Sequence, residues 1–292
     1  MYESARDDIA ELYRLAHSVS NAGIVDVGEF AIIFDTFNTQ QASKDLKQSV
    51  YELTGHSKHY VINSHWHGDH IRGNQVFKDS IIFSTTKTFN EMKRIHPERI
   101  NHQKSHLSQL EKDIKLQELK LQEIDDGVSV EQLRKQLSFL REIAMSLPSL
   151  ELTLPSVTFE SRLVFNGSIR SVEVIPLGSG HTLCDTVLYI PDERILFAAD
   201  LCTNANHPLL VDGNPENWIS ILDHLLDKSI NTVIPGHGRV GSVDILQSTR
   251  EYIHDVIELA KLNSNTVNIP IKYEAWSASE NFHRNLQHLV VK

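Results

Sequence analysis

The stretch His65-Trp66-His67-Gly68-Asp69-His70 sets three imidazoles and a carboxylate within six residues. Neutral imidazoles with a carboxylate suit zinc or a similar first-row cation. The residues just before them, Tyr60-Val61-Ile62-Asn63, read as a short buried strand, so the cluster falls where a strand runs out into a loop. Rigid scaffolds commonly present their chemistry on such loops. One His pair would suggest no more than a histidine-rich surface loop. The pattern H-x-H-x-D-H directly after an apolar strand points to a metal.

Three later positions share that placement. His181 lies in the glycine-rich turn Gly178-Ser179-Gly180-His181-Thr182, after a strand ending at Leu177. Asp200 closes the apolar run Ala198-Ala199-Asp200, and His237 lies in Pro235-Gly236-His237-Gly238 after a short strand. Strand ends along one edge of a sheet structure converge, so residues far apart in sequence can meet there. Thr182, Asp185 and Asn204 flank these positions and are candidates to orient the ligands. Asn206 and His207 are candidate pocket walls, and Asp35, which closes another apolar strand, is placed to buttress the site. Trp66, Cys184 and Cys202 read as packing residues. His102 and His106, spaced i,i+4, read as a solvated helix face.

The elements that must position these residues alternate. Residues 4–17 suggest an amphipathic helix, and 24–27 with 30–34 a hairpin turning at Gly28-Glu29. Thr39 can cap a helix running to about Leu53. A strand precedes the histidine cluster, a short helix near 73–77 follows it, and 80–84 is a further strand. From 86 to 150 strand signals vanish, and Leu107, Leu110, Ile114, Leu121 and Ile124 recur at helical spacing, with a break at Asp125-Asp126-Gly127. This reads as a helical hairpin inserted into one layered α/β domain spanning 1–292: a structural or dimerising arm, with a lid over the site as the alternative. Strands resume at 162–165 and 169–175 around an Asn166-Gly167 turn, then at 186–190, 194–199 and 232–234. Helices are expected at 215–226, 243–262 and near the C-terminus.

Bulk properties narrow the function classes. The 292-residue chain carries a formal net charge of -10 and shows no long basic run, which argues against nucleic acid as a partner. The charged N-terminus lacks the apolar core of a signal peptide, and no apolar stretch is long enough to cross a membrane. Two cysteines form no disulfide framework and suit a reducing cytoplasm.

With these residues in place, the chain resembles the metallo-β-lactamase superfamily: His65-x-His67-x-Asp69-His70, then His181, Asp200 and His237, follow that family's order of motifs. The resemblance covers roughly residues 20 to 245 apart from the helical segment. It implies a four-layer αββα sandwich with a binuclear site at one edge. His65, His67 and His181 would hold the first metal, Asp69, His70 and His237 the second, and Asp200 would bridge them. Two zinc ions are expected, with manganese or iron as alternatives. The implied chemistry is hydrolysis of a small ester, thioester, lactone or amide by a bridging hydroxide, with Asp69 orienting the nucleophile. A mononuclear-iron persulfide dioxygenase and a phosphodiesterase are the alternatives. His67 stands where the family's di-iron flavoproteins carry Glu. Asp200 stands where the best-known antibiotic-degrading subclass carries Cys, and that subclass's downstream Lys has no counterpart in Leu201-Cys202-Thr203-Asn204. The expected partner is a small molecule, with a homodimer through 86–150 as a candidate assembly.

Overall fold

The computed structural model describes residues 11–13, 20–122, 128–262 and 267–290. The first sheet has the order β1 (Glu11–Tyr13), β2 (Ala22–Asp26), β3 (Ala31–Phe34), β4 (His59–Ile62), β5 (Ile81–Thr85) and β6 (Val157–Phe159). β1 to β3 pair antiparallel, and β3 to β6 pair parallel. The second sheet has β7 (Leu163–Asn166), β8 (Ser171–Gly178), β9 (Asp185–Ile190), β10 (Ile195–Thr203) and β11 (Thr232–His237), with β11 joined parallel to β10 at one edge.

Side-chain alternation on these strands makes the layers. On β3, Ile32 and Phe34 enter the core shared with Val172, Leu188 and Phe197 of the second sheet. The Phe34 and Phe197 rings meet edge to face at 6.0 Å. Ala31 and Ile33 face the other way, onto Leu46 and Val50 of α1 (Gln40–Thr54). On β10, Leu196 and Ala198 pack against α6 (Pro215–Leu226), α7 (Asp244–Lys261) and α8 (Glu280–Val290) through Trp218, Ile253 and Phe282. All nine residues of β10 are buried, as a strand covered on both faces requires. The result is the expected αββα sandwich.

The ends of the two sheets are tied together beside β11. Asn21, just before β2, donates its backbone N–H to Gly236 O at 2.7 Å and its side-chain amide to Pro235 O and Gly238 O at 2.8 and 2.9 Å. Thr39 caps α1 as expected, accepting from Ala42 N at 3.2 Å, and Gly55 ends it in a left-handed conformation.

Four local expectations are corrected. The helix expected over 4–17 is overturned at Glu11–Tyr13, which pair as a strand with 22–24; the remainder of that range lies outside the described residues, as does the Asp125-Asp126-Gly127 break. Region 86–150 holds three helices rather than two: α3 (Thr86–Ser105), α4 (Leu107–Gln122) and α5 (Val128–Ser146). α3 stops where Ser105 Oγ and His106 Nδ1 both reach His102 O, at 2.8 Å each, competing for a helix carbonyl. Only α4 and α5 form the hairpin, joined by Glu118 and Arg141 at 2.8 Å. The short helix expected at 73–77 begins earlier: α2 (Gly68–Ile71) leads into a 3-10 turn over Arg72–Phe77, so Asp69 and His70 sit on helix, not loop. The Asn166-Gly167 turn is also longer than two residues, since Asn166 pairs with Ser171. Gly167 is needed there because a Cβ would lie 1.9 Å from Val27 O of the other sheet.

Candidate metal centre

The early cluster is shaped from below by Asp35. It ends β3 at a positive φ of 65° and is buried. Its carboxylate accepts from Ser64 N at 2.8 Å and from Ser64 Oγ at 2.6 Å, turning the chain as it leaves β4. It also accepts from His70 Nδ1 at 2.8 Å, which leaves His70 Nε2 as the free face of the ring. Ser64 Oγ accepts in turn from His65 Nδ1 at 2.9 Å, so His65 likewise presents Nε2. His67 is reversed. Its Nε2 bonds Asp212 Oδ2 at 3.0 Å, and its Nδ1 lies 2.9 Å from His181 Nε2.

The second sheet supplies single residues. His181 Nδ1 donates to Leu209 O at 3.0 Å, aiming Nε2 at the cluster. Its turn is held by Asp185, which accepts from Gly180 N at 3.0 Å and from Thr182 N and Oγ1 at 3.0 and 2.6 Å. Asp200 follows Ala199, whose φ of 46° marks an irregularity in the β10–β11 pairing. The opposing residue must be Gly236, since a Cβ there would fall 1.8 Å from Asp200 Oδ1. His237 ends β11, and Asn204 N donates to His237 O at 2.8 Å. The Asn204 side chain turns away to Arg239 O at 2.9 Å, so this candidate holds the loop by its backbone.

All seven candidates come together. Donor atoms of His65, His67, His181 and Asp200 lie within 4.8 Å of one another, and those of Asp69, His70 and His237 form a second such group. Asp200 reaches both: Oδ2 lies 3.3 Å from His181 Nε2 and 3.3 Å from His237 Nε2, and Oδ1 lies 3.2 Å from His70 Nε2. Asp69 Oδ2 lies 3.4 Å from His237 Nε2 and 3.5 Å from His70 Nε2. The buried His65 Nε2, His70 Nε2 and Asp200 Oδ1 face other candidate ligands and have no well-aligned hydrogen-bond partner. Orphaned polar atoms are costly inside a protein, and such atoms in each of the two donor groups fit cations. Trp66 packs with Ile71, Met92 and Cys184, and both thiols are free and buried.

Burial and charge act oppositely on the histidines. Burial holds the His65 imidazole well below its ordinary value and takes His181 down to about 4. Burial also opposes protonation of His70 and His237, yet the Asp200 and Asp69 carboxylates overcome it. His70 is held well above the ordinary value and His237 rises to about 9. Burial pushes the Asp185 carboxyl up to about 7 against its own hydrogen bonds. A cavity of about 260 Å³ opens over both groups, with Asn206, His207, Leu209 and Asn281 in its walls. Asp212 and Asn281 escape notice in the sequence, because each reaches the site from a loop or helix start with no strand before it.

The sequence pattern described as "Metallo-beta-lactamase superfamily" matches residues 17–237, most of the chain. A metallo-beta-lactamase type 2 of Bacteroides fragilis is 27% identical over 114 residues, 37% of this chain and 45% of that protein. Its namesake from Bacillus cereus is 31% identical over 87 residues, 28% of this chain and 34% of that protein. The chain thus spans less than half the length of these curated relatives. Among solved structures, a metallo-beta-lactamase from Pontibacter korlensis superposes with a TM-score of 0.62 at 17% identity, covering 87% of this chain and all of that one. The DIM-1 metallo-beta-lactamase gives 0.58 at 16% identity, covering 86% and 96%. No helix among the described residues is long and apolar enough to cross a membrane.

Proposed function

The chain belongs to the metallo-β-lactamase superfamily, and on that premise we propose that it is a binuclear metallo-hydrolase acting on a small ester, thioester, lactone or amide. One observation carries this reading: two donor groups share the Asp200 carboxylate, with buried nitrogens that have no other partner. His65 Nε2, His67 Nδ1 and His181 Nε2 would hold one cation, and Asp69, His70 Nε2 and His237 Nε2 would hold the other. Zinc suits this set of imidazoles and carboxylates, with manganese or iron as substitutes. Bound at such a site, a pair of dications supplies an acidified water at neutral pH and polarises a substrate oxygen.

The chain's own groups do the rest. Asp200 brings negative charge between the donor groups. Asp69, partly open to solvent, is placed to orient the attacking water and to pass a proton to the leaving group. Asp35, Asp212 and Leu209 O fix which ring nitrogen each histidine presents, as outer hydrogen bonds do in metal sites generally. β-Lactams enter the candidate list from the names of the relatives, but Asp200 stands where their best-known subclass has Cys.

The test joins metal analysis to turnover. The protein is reconstituted with zinc, its metal counted, and lactone, thioester, ester, β-lactam and phosphodiester substrates screened beside His67→Ala. Close to two zinc per chain and turnover lost in the variant support the proposal. A single iron with oxygen uptake on a persulfide replaces it with a dioxygenase, phosphodiester cleavage alone replaces the substrate class, and activity untouched by His67→Ala removes the mechanism.

A further inference from the structure

We infer that a second, larger cleft beside the donor groups selects substrates bearing an oxyanion, a carboxylate or a phosphate, gripped by Arg72, Arg99 and Arg284. The inference deepens the hydrolase reading and rests on it for the reacting end of the substrate only.

The cleft encloses about 930 Å³ between the ligand loop, α3 and α8. The chain has 38 acidic against 28 basic residues, so an arginine-lined hollow runs against its composition. Of the charged groups in the wall, Arg94 is neutralised by Glu91 at 2.5 Å, and Asp212 is taken by His67. Arg72, Arg99 and Arg284 then face one remaining carboxylate, Glu98. Among the described residues none of the three arginines forms an ion pair.

Arg72 is the most telling. Its two Nη atoms donate to Asn38 Oδ1 at 3.3 Å and Gln103 Oε1 at 2.6 Å, and its Nε is buried without a partner. Neutral amides orient a guanidinium without neutralising it; Asp69 acts on Arg72 through space but makes no ion pair with it, so part of the cost of burying the charge remains. An incoming oxyanion relieves that cost. Arg99 lies over the Trp66 ring, its Cζ 5.0 Å from the centroid. That cation–π contact holds the guanidinium at the cleft wall without neutralising it, and a guanidinium offers N–H pairs suited to bidentate contact with a carboxylate or phosphate.

The grip is coupled in space to the donor groups. Trp66 stands between His65 and His67, and His96 Nε2 of α3 donates to Trp66 O at 2.6 Å. The His67–Asp212 hydrogen bond stands where the cleft meets the smaller cavity. A substrate can therefore place its scissile bond over the donor groups and its charged end against Arg72 and Arg99. This also gives α3 a role: it is a specificity wall carrying Arg99 and the Gln103 that holds Arg72.

The test uses the zinc-loaded full chain and aryl esters matched except at the far end, which bears a free carboxylate, its methyl ester, or a phosphate. We expect a charged member to be favoured in kcat/KM by about tenfold or more, mostly through KM, the size of one charge-assisted hydrogen bond. Arg99→Gln should remove most of that preference, and Glu98→Gln should widen it. The larger of the carboxylate and phosphate preferences names the anion. Equal turnover of charged and methylated esters overturns the inference. If no ester is turned over, esters alone leave the hydrolase reading's substrate range, and glutarate and inorganic phosphate are titrated by calorimetry. Binding weakened by Arg99→Gln then upholds the grip; absent binding, or binding indifferent to Arg99→Gln, overturns it.

Discussion

The two sheets furnish the donor groups in different ways. The first delivers His65, His67, Asp69 and His70 from one loop and its helical turn; one buried carboxylate, Asp35, braces the Ser64 turn and His70, and Asp212 holds His67. The second delivers His181 from the turn after β8, Asp200 from the irregular stretch of β10 and His237 from the end of β11, each with its own support: Asp185, Gly236 and Asn204 N. A contiguous cluster leans chiefly on the brace at its base, so loss of Asp35 disturbs several ligands together. Dispersed ligands fail singly, except for Asp200, on which both donor groups converge.

Removing Asp200 should therefore break the contrast most severely. In Asp200→Ala both metals are expected to fall to near zero per chain and hydrolysis to background, whereas His70→Ala should retain one metal; elemental analysis of the dialysed proteins reads both. Next come the braces. Asp35→Ala should weaken metal affinity by about 10–100-fold, the usual cost of losing an outer hydrogen bond to a ligand. Asp185→Ala should act mainly on folding, by about 1–3 kcal/mol, because it leaves Gly180 N and Thr182 N buried without acceptors. Parallel chelator competition and urea unfolding separate the two, and equal effects on metal affinity would dissolve the comparison.

Protonation sharpens it further. His237 binds a proton below about 9, and His70 is held well above the ordinary value, so a cation in their group must displace protons at neutral pH. His181 competes for protons only near 4, and burial holds His65 low. As pH falls, the metal on Asp69, His70 and His237 should leave first, seen as a two-step change in the spectrum of the cobalt-substituted protein. One concerted step would count against this order. The smallest effect on the site belongs to His96→Ala. Losing its bond to Trp66 O should cost about 1–3 kcal/mol in thermal or urea unfolding while leaving the metal count unchanged.

The same contrast explains what could be read in the chain beforehand. The early cluster is a local pattern, so spacing alone exposes it. His181, Asp200 and His237 are legible because each follows an apolar run, although Asp200 does not end its strand: β10 continues to Thr203 through the irregularity at Ala199. Asp35 is legible by the same rule. Asp212 is not, because it meets His67 across 145 residues from a turn with no periodic signal. Arg72 and Arg99 look like ordinary surface charge until α3 is seen against the ligand loop. The break at His106 is missed because it is made by side chains reaching back to a carbonyl, with no Gly or Pro to mark it. The early start of α2 is missed because Gly68 disguises a helical first turn.

Asn21 leaves one further consequence. It fastens the start of β2 to the residues around His237, two points more than 200 positions apart along the chain. Both donor groups draw on both sheets, so a captured cation would latch the same seam that Asn21 closes. Cation affinity and the cohesion of the two halves then become one free energy seen from two sides. Chelation should accordingly loosen the seam before the rest of the molecule, with amide exchange quickening first along β2 and β11.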